Sequence, residues 1–142
     1  MWKPRKFQKI MRRIKPLGVS GFAGQCAILA FCVQKHLYPD AEVVGAFNQY
    51  LWEKGIPYGH VFLFKNGVYF DARNVSTDIH RFIPLVKLDP SNDLFGKMPQ
   101  TQQELIEKMN AAIVVRNLRQ SNIPKLATQY DWVCRTFVDA LI

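Results

Sequence analysis

One dipeptide limits what this chain can fold into more than any other feature. Asn66-Gly67 interrupts an apolar run, with "GHVFLF" shortly before it and "VYFDAR" shortly after it. Asn-Gly between two such runs favours a two-residue type I′ turn, because both central residues must take positive φ. A hairpin over 59–73 follows, with Lys65 opposite Val68, Phe62 opposite Asp71 and His60 opposite Arg73. Strand side chains alternate, so this register puts His60, Phe62 and Phe64 on one face with Tyr69, Asp71 and Arg73. His60 and Asp71 become diagonal neighbours, roughly 7–8 Å apart by backbone and closer through their side chains. A slip of one residue would send them to opposite faces. An aspartate among aromatics is costly unless a partner compensates it. Arg73 is one candidate partner, as a surface pair, and His60 is the other.

The rest of the chain surrounds this hairpin with helices. Its 142 residues suit one domain, and 49% hydrophobic with 13% aromatic residues is enough to pack a core rather than remain disordered. In residues 1–16, Phe7, Ile10, Met11 and Ile14 fall at i, i+3, i+4 and i+7, one face of a basic amphipathic helix bounded by Pro4 and Pro16. Residues 17–142 form the α+β domain. The glycine-rich "GVSGFAG" leads into "QCAILAFCVQKHLYPD", apolar all round from Cys26 to Val33, which predicts a buried central helix stopped at Tyr38-Pro39-Asp40. "AEVVGAF" predicts a buried strand, "NQYLWEKGIPYG" a loop, "RFIPLVKL" a further strand and "DPSNDLFGKMPQ" a loop. Thr101 with Glu104 makes a capping box that opens a helix through "QQELIEKMNAAIVVRNLR". A last helix starts near Pro124 and carries Val133, Phe137 and Leu141 four apart. Helices on a small antiparallel sheet give an α+β fold.

The formal net charge of +8 is local rather than general. Lys3, Arg5, Lys6, Lys9, Arg12, Arg13 and Lys15 occupy residues 1–15 without one acid. Of 19 basic and 11 acidic residues in all, the remainder then holds 12 basic against 11 acidic. An anionic partner (nucleic acid, a membrane surface or an acidic protein) would therefore bind through residues 1–15. No apolar run reaches the roughly 18 residues that span a bilayer, and no signal-peptide core precedes Pro16. Three cysteines at irregular spacing make no disulfide framework. A soluble, cytoplasmic protein with reduced thiols is expected.

Cys26 supplies a reason for the His60–Asp71 pair. It opens the buried helix after Gly24-Gln25, where the helix dipole and unpaired N–H groups favour a thiolate. Cysteine at a helix start with histidine and aspartate on adjacent strands suffices for acyl transfer. The Cys26 N–H could serve an oxyanion hole, and the Gln25 side chain is a second candidate donor. Trp52 and Tyr58 flank the loop before His60 and either wall a substrate cleft or pack. Cys32 and His36 stand i, i+4 and could chelate a metal with His60 or His80, but Cys32 lies in a wholly apolar stretch and, like Cys134, fits a core cysteine better.

The segments "GQCAILAFCVQKHLY", "AEVVGAF", "GHVFLF" and "VYFDAR", residues 24–73, resemble the transglutaminase-like branch of the papain-like cysteine peptidase superfamily. The resemblance implies a papain-like core, with the cysteine helix packed on the sheet that carries histidine and aspartate in that chain order. It implies Cys26 as nucleophile, His60 as general base and acid, and Asp71 as the group orienting it. The function expected is attack on a peptide or protein amide by a peptidase, isopeptidase, deamidase or transglutaminase, with no metal and no organic cofactor. The alternative is a non-catalytic module of the same fold that binds through its basic helix.

Overall fold

Asn66 and Gly67 both take positive φ, 52° and 79°, and close the expected type I′ turn. The computed structural model, which describes residues 1–21, 24–56, 58–86, 100–119 and 129–141, builds an antiparallel sheet outward from that turn. Strands β1 (Glu42–Asn48), β2 (Gly59–Lys65), β3 (Val68–Phe70), β4 (Val75–Ser76) and β5 (Ile113–Asn117) lie in the order β4-β3-β2-β1-β5. Lys65 pairs with Val68, Phe64 with Tyr69 and Leu63 with Phe70, as the turn dictates. The ladder then stops. Asp71 N–H donates to the Asn74 carbonyl at 3.0 Å, turning the chain back so that β4 pairs with β3. The expected pairs Phe62–Asp71 and His60–Arg73 therefore do not form.

Two apolar layers cover the sheet, as strand alternation requires. Val43, Val61, Leu63, Val68 and Phe70 face helices α1 (Arg5–Ile14), α2 (Cys26–His36) and α5 (Asp131–Asp139). Val44, Ala46 and Phe62 face the other way, onto Phe82 of a short 3₁₀ turn at Ile79–Phe82. Helix α1 packs its apolar face on the domain, as the i, i+3, i+4, i+7 spacing leads one to expect: Phe7, Ile10, Met11 and Ile14 belong to the main core cluster. Phe7 meets Phe70 of the sheet and Phe137 of α5, with ring centroids 5.9 and 6.3 Å apart.

Three expectations are corrected. The helix expected from Thr101 through Arg119 is α4 (Gln100–Ala111), which already includes Thr101 and ends well before Arg119. Ile113-Val114-Val115 then enters strand β5 and pairs with β1, since β-branched residues suit a pleated edge more than a helix. The expected strand over 81–88 is absent among the described residues, where Arg81 and Phe82 end the 3₁₀ turn. The supposed loop after β1 contains a short helix, α3 (Gln49–Glu53), capped by the Asn48 side chain, which accepts from Leu51 N–H at 3.0 Å. The loop expected over 89–100 and the helix start near Pro124 lie outside the described residues, except for Gln100.

Cysteine chemistry also differs from the sequence reading. Cys32 on α2 and Cys134 on α5 are joined as a disulfide across 102 residues of sequence, with Cα atoms 5.7 Å apart. Each is half or fully buried in the core, as expected, but they are not separate reduced thiols. Spacing could not reveal this, because the packing of α5 on α2 is what brings the two together. Cys26 is the free cysteine.

Candidate active site

Three elements converge where the β2–β3 ladder ends. β2 continues two residues beyond Phe62 to His60, its β3-side edge left open by the departure of Asp71. The open edge is bridged by side chains instead. His60 Nε2 and Asp71 Oδ2 are 2.8 Å apart, and since a carboxylate only accepts, Nε2 carries the proton. The other carboxylate oxygen, Oδ1, accepts from the backbone N–H groups of Arg73 at 2.8 Å and Asn74 at 2.7 Å. Asp71 is thus fixed by its own turn before it fixes the imidazole. The ring is held from below by stacking on Phe62, centroids 5.7 Å apart, and Phe62 stacks on Phe82 at 5.1 Å.

The Cys26 side chain completes the set, lying close enough to the His60 ring to act on its protonation. With Nε2 committed to Asp71, Nδ1 is the nitrogen left for sulfur. Cys26 is the first residue of α2, and the earliest intrahelical bond there is from Leu29 N–H to the Gln25 carbonyl at 3.0 Å. The N–H groups of residues 26–28 consequently have no intrahelical partner and point out of the helix start. Cys26, Gly21, Phe62, Asp71 and Ala72 border one small cavity.

Electrostatics at the ring are set by opposing effects. Burial disfavours the imidazolium, but the hydrogen bonds to Asp71 and to Cys26, with the charges of both, outweigh it and lift His60 from 6.5 to about 9. Only 12% of the His60 side chain and 6% of Asp71 is exposed, so solvent screens this network weakly. A histidine raised in the folded state stabilises fully below its unfolded value, and that contribution is lost as pH climbs from 6.5 to about 9. We expect urea unfolding to show native stability falling across this window by on the order of 3 kcal/mol at most. His60→Asn should flatten the profile there; an equally steep profile in the variant would show that other groups carry it.

The remaining sequence candidates are disposed differently. The Gln25 amide donates to the Gly18 carbonyl at 3.2 Å, and its oxygen accepts from the N–H groups of Ser20 at 3.0 Å and Gly21 at 3.3 Å. Its side chain braces the loop before the helix and does not supply a donor to the cysteine. Tyr58 donates its hydroxyl to the Leu85 carbonyl at 3.2 Å. Trp52 stands edge-on to Phe47 at 5.4 Å and is 43% exposed. Phe47 itself, not singled out from sequence, lies over Gly59, where a Cβ would come within 2.6 Å of its ring. Tyr130 was missed as well: it covers Gly24 (φ +92°), where a Cβ would meet its hydroxyl at 3.0 Å. The only sequence signal for either was a glycine beside a site residue. His80 sits in the 3₁₀ turn, and the third donor near Cys32 and His36 is Cys134 rather than His60 or His80.

Known family models, curated proteins and solved structures yield no match to this chain. No helix among the described residues is long and apolar enough to cross a membrane.

Proposed function

We propose that this chain is a cysteine-dependent acyl-transfer enzyme with a transglutaminase-like, papain-like core, acting on a peptide or protein amide. One observation carries the reading: a single, largely buried imidazole bonds a fixed carboxylate at 2.8 Å, with the cysteine of a helix start beside it. At neutral pH the protonated ring favours an ionised sulfur beside it. Sulfur attacks the carbonyl carbon, forming the S–C bond, and the oxyanion is received by the Cys26 N–H at the positive end of α2. His60 gives its Nδ1 proton to the departing amine, leaving a thioester. Water or a second amine, deprotonated by the same nitrogen, then attacks the thioester and releases Cys26. Asp71 keeps the ring oriented throughout without taking the proton itself. Peptidase, isopeptidase, deamidase and transglutaminase outcomes differ in the leaving and accepting amine, while the triad is common to them. The test is alkylation of Cys26 in mildly acidic buffer, with and without the His60 ring. Rapid labelling that collapses in the variant supports the enzyme, and equal rates would overturn it.

A second reading is favoured by α1, whose apolar face is in the core while Arg5, Lys6, Lys9, Arg12 and Arg13 are exposed. With no apolar face left to enter a bilayer, the exposed side suits a polyanion such as nucleic acid. Under that reading, retention of the protein on duplex DNA should fall steeply between about 50 and 200 mM salt. Lys6→Glu with Lys9→Glu and Arg12→Glu should abolish it while leaving the fold intact. Retention unaffected by salt or by these changes would remove the reading.

A further inference from the structure

Where α2 packs on α5, a second cluster of chemically active side chains lies apart from the triad. Cys32 and His36 are one turn apart on α2, and Cys134 faces them from α5. One sulfur from each cysteine and one ring nitrogen of His36 all lie within 4.8 Å of one another. Cys32 is buried, Cys134 half-buried and His36 exposed, so the set is walled on the protein side and open to solvent at the imidazole. A disulfide accounts for two members and has no use for the third. Tetrahedral zinc, with Zn–S of about 2.3 Å and Zn–N of about 2.0–2.1 Å, places its donors roughly 3.5–3.8 Å from one another. The three donors already lie within 4.8 Å of one another, and breaking the sulfur–sulfur bond frees the two sulfurs to separate toward that spacing.

We propose that Cys32, Cys134 and His36 form a redox-gated zinc site, closed as the disulfide and opened by reduction. A low-molecular-weight thiol supplies the opening step. Two thiol molecules pass two electrons and two protons to the Cys32–Cys134 bond and leave joined as their own disulfide. Zn²⁺ then displaces the two thiol protons, takes both thiolates and the neutral His36 imidazole, and keeps a water in the fourth position facing solvent. Two thiolates with one imidazole select zinc over magnesium or calcium, which prefer oxygen. The cation also replaces the covalent link between α2 and α5, so the two helices stay tied in either state.

Cobalt(II) serves as the spectroscopic probe. Protein reduced with a phosphine, freed of excess reductant and titrated anaerobically with Co²⁺ should take up one equivalent, give thiolate-to-cobalt charge-transfer and tetrahedral ligand-field bands, and lose them to added Zn²⁺. Unreduced protein should give no such bands. Because His36 is exposed, His36→Ala should fold normally yet bind Co²⁺ more weakly by well over the roughly tenfold that even an outer-shell partner is worth. Cys26→Ser should leave the spectrum unchanged, which separates this site from the triad. Reduced protein that gives no thiolate bands, or His36→Ala that titrates like the parent chain, would leave Cys32–Cys134 a structural disulfide only and overturn the proposal.

Discussion

At about pH 5.5 native protein is expected to be alkylated by iodoacetamide at Cys26 on the order of 30- to 100-fold faster than its His60→Ala variant. An ordinary thiol, with a value near 8.5, is ionised in only about one molecule per thousand at that pH, and its rate falls roughly tenfold per unit below neutrality. His60, at about 9, stays protonated over the whole range and keeps a positive charge against the sulfur. The rate for native protein should therefore fall less steeply toward acid than that of His60→Ala. The contrast at neutral pH should be smaller, because the variant's own thiol is more ionised there, which makes acid the informative side. Asp71→Asn preserves shape but leaves one acceptor oxygen for both the ring and the Arg73–Asn74 turn, so the ring loses the facing charge and an acceptor for its Nε2 proton, and the rate should fall well toward that of His60→Ala. Cys32 and Cys134, held together, should not label without a reductant. Parallel pH–rate slopes for native protein and His60→Ala would remove the triad from consideration, and mass spectrometry of the labelled peptide decides between sulfurs.

How far this site could be foreseen follows from the range over which each interaction acts. Asn66-Gly67 is local, and it set the three pairs from Lys65–Val68 to Leu63–Phe70. The end of that ladder was not legible, because it depends on Asp71 bonding its own chain at Arg73 and Asn74 rather than continuing the strand. His60 and Asp71 still meet, by a direct side-chain bond across the opened edge rather than as members of a ladder. Cys26 was legible because the wholly apolar run after it locates the buried helix and hence its start. Gln25, one residue away, was not: its orientation follows from the path of the loop at Gly18–Gly21, which its amide holds. Strand β5 is a case of tertiary override. "AAIVVRN" is compatible with the helix before it until β1 offers a free edge from Val44 to Asn48. The disulfide, spanning 102 residues, depends on helix packing that no local spacing encodes.

Removing residues 1–15 is expected to abolish cooperative folding rather than release an intact domain from a basic arm. The charge pattern invites the opposite view, since seven cations stand there without an acid. Burial decides against it: Phe7, Ile10, Met11 and Ile14 are exposed by only 1%, 6%, 2% and 1%. Truncating one such side chain in a core costs about 2–5 kcal/mol. Losing all four therefore exceeds the roughly 5–15 kcal/mol by which a domain of this size is stable, or comes close to it. Phe7 matters most, because its ring touches Phe70 of the sheet and Phe137 of α5 and also lines the cavity bordered by Cys26 and Asp71. Phe7→Ala alone should lower stability by about 3–5 kcal/mol in urea titration. It should also expose the back of the Cys26 pocket to water. The charge reversals at Lys6, Lys9 and Arg12 provide the contrast, since those side chains are solvated and their change should move stability by less than about 1 kcal/mol. A truncated chain that unfolds cooperatively at the parent's midpoint would show that α1 lies on the core without supporting it, and would return residues 1–15 to the status of an appended binding arm.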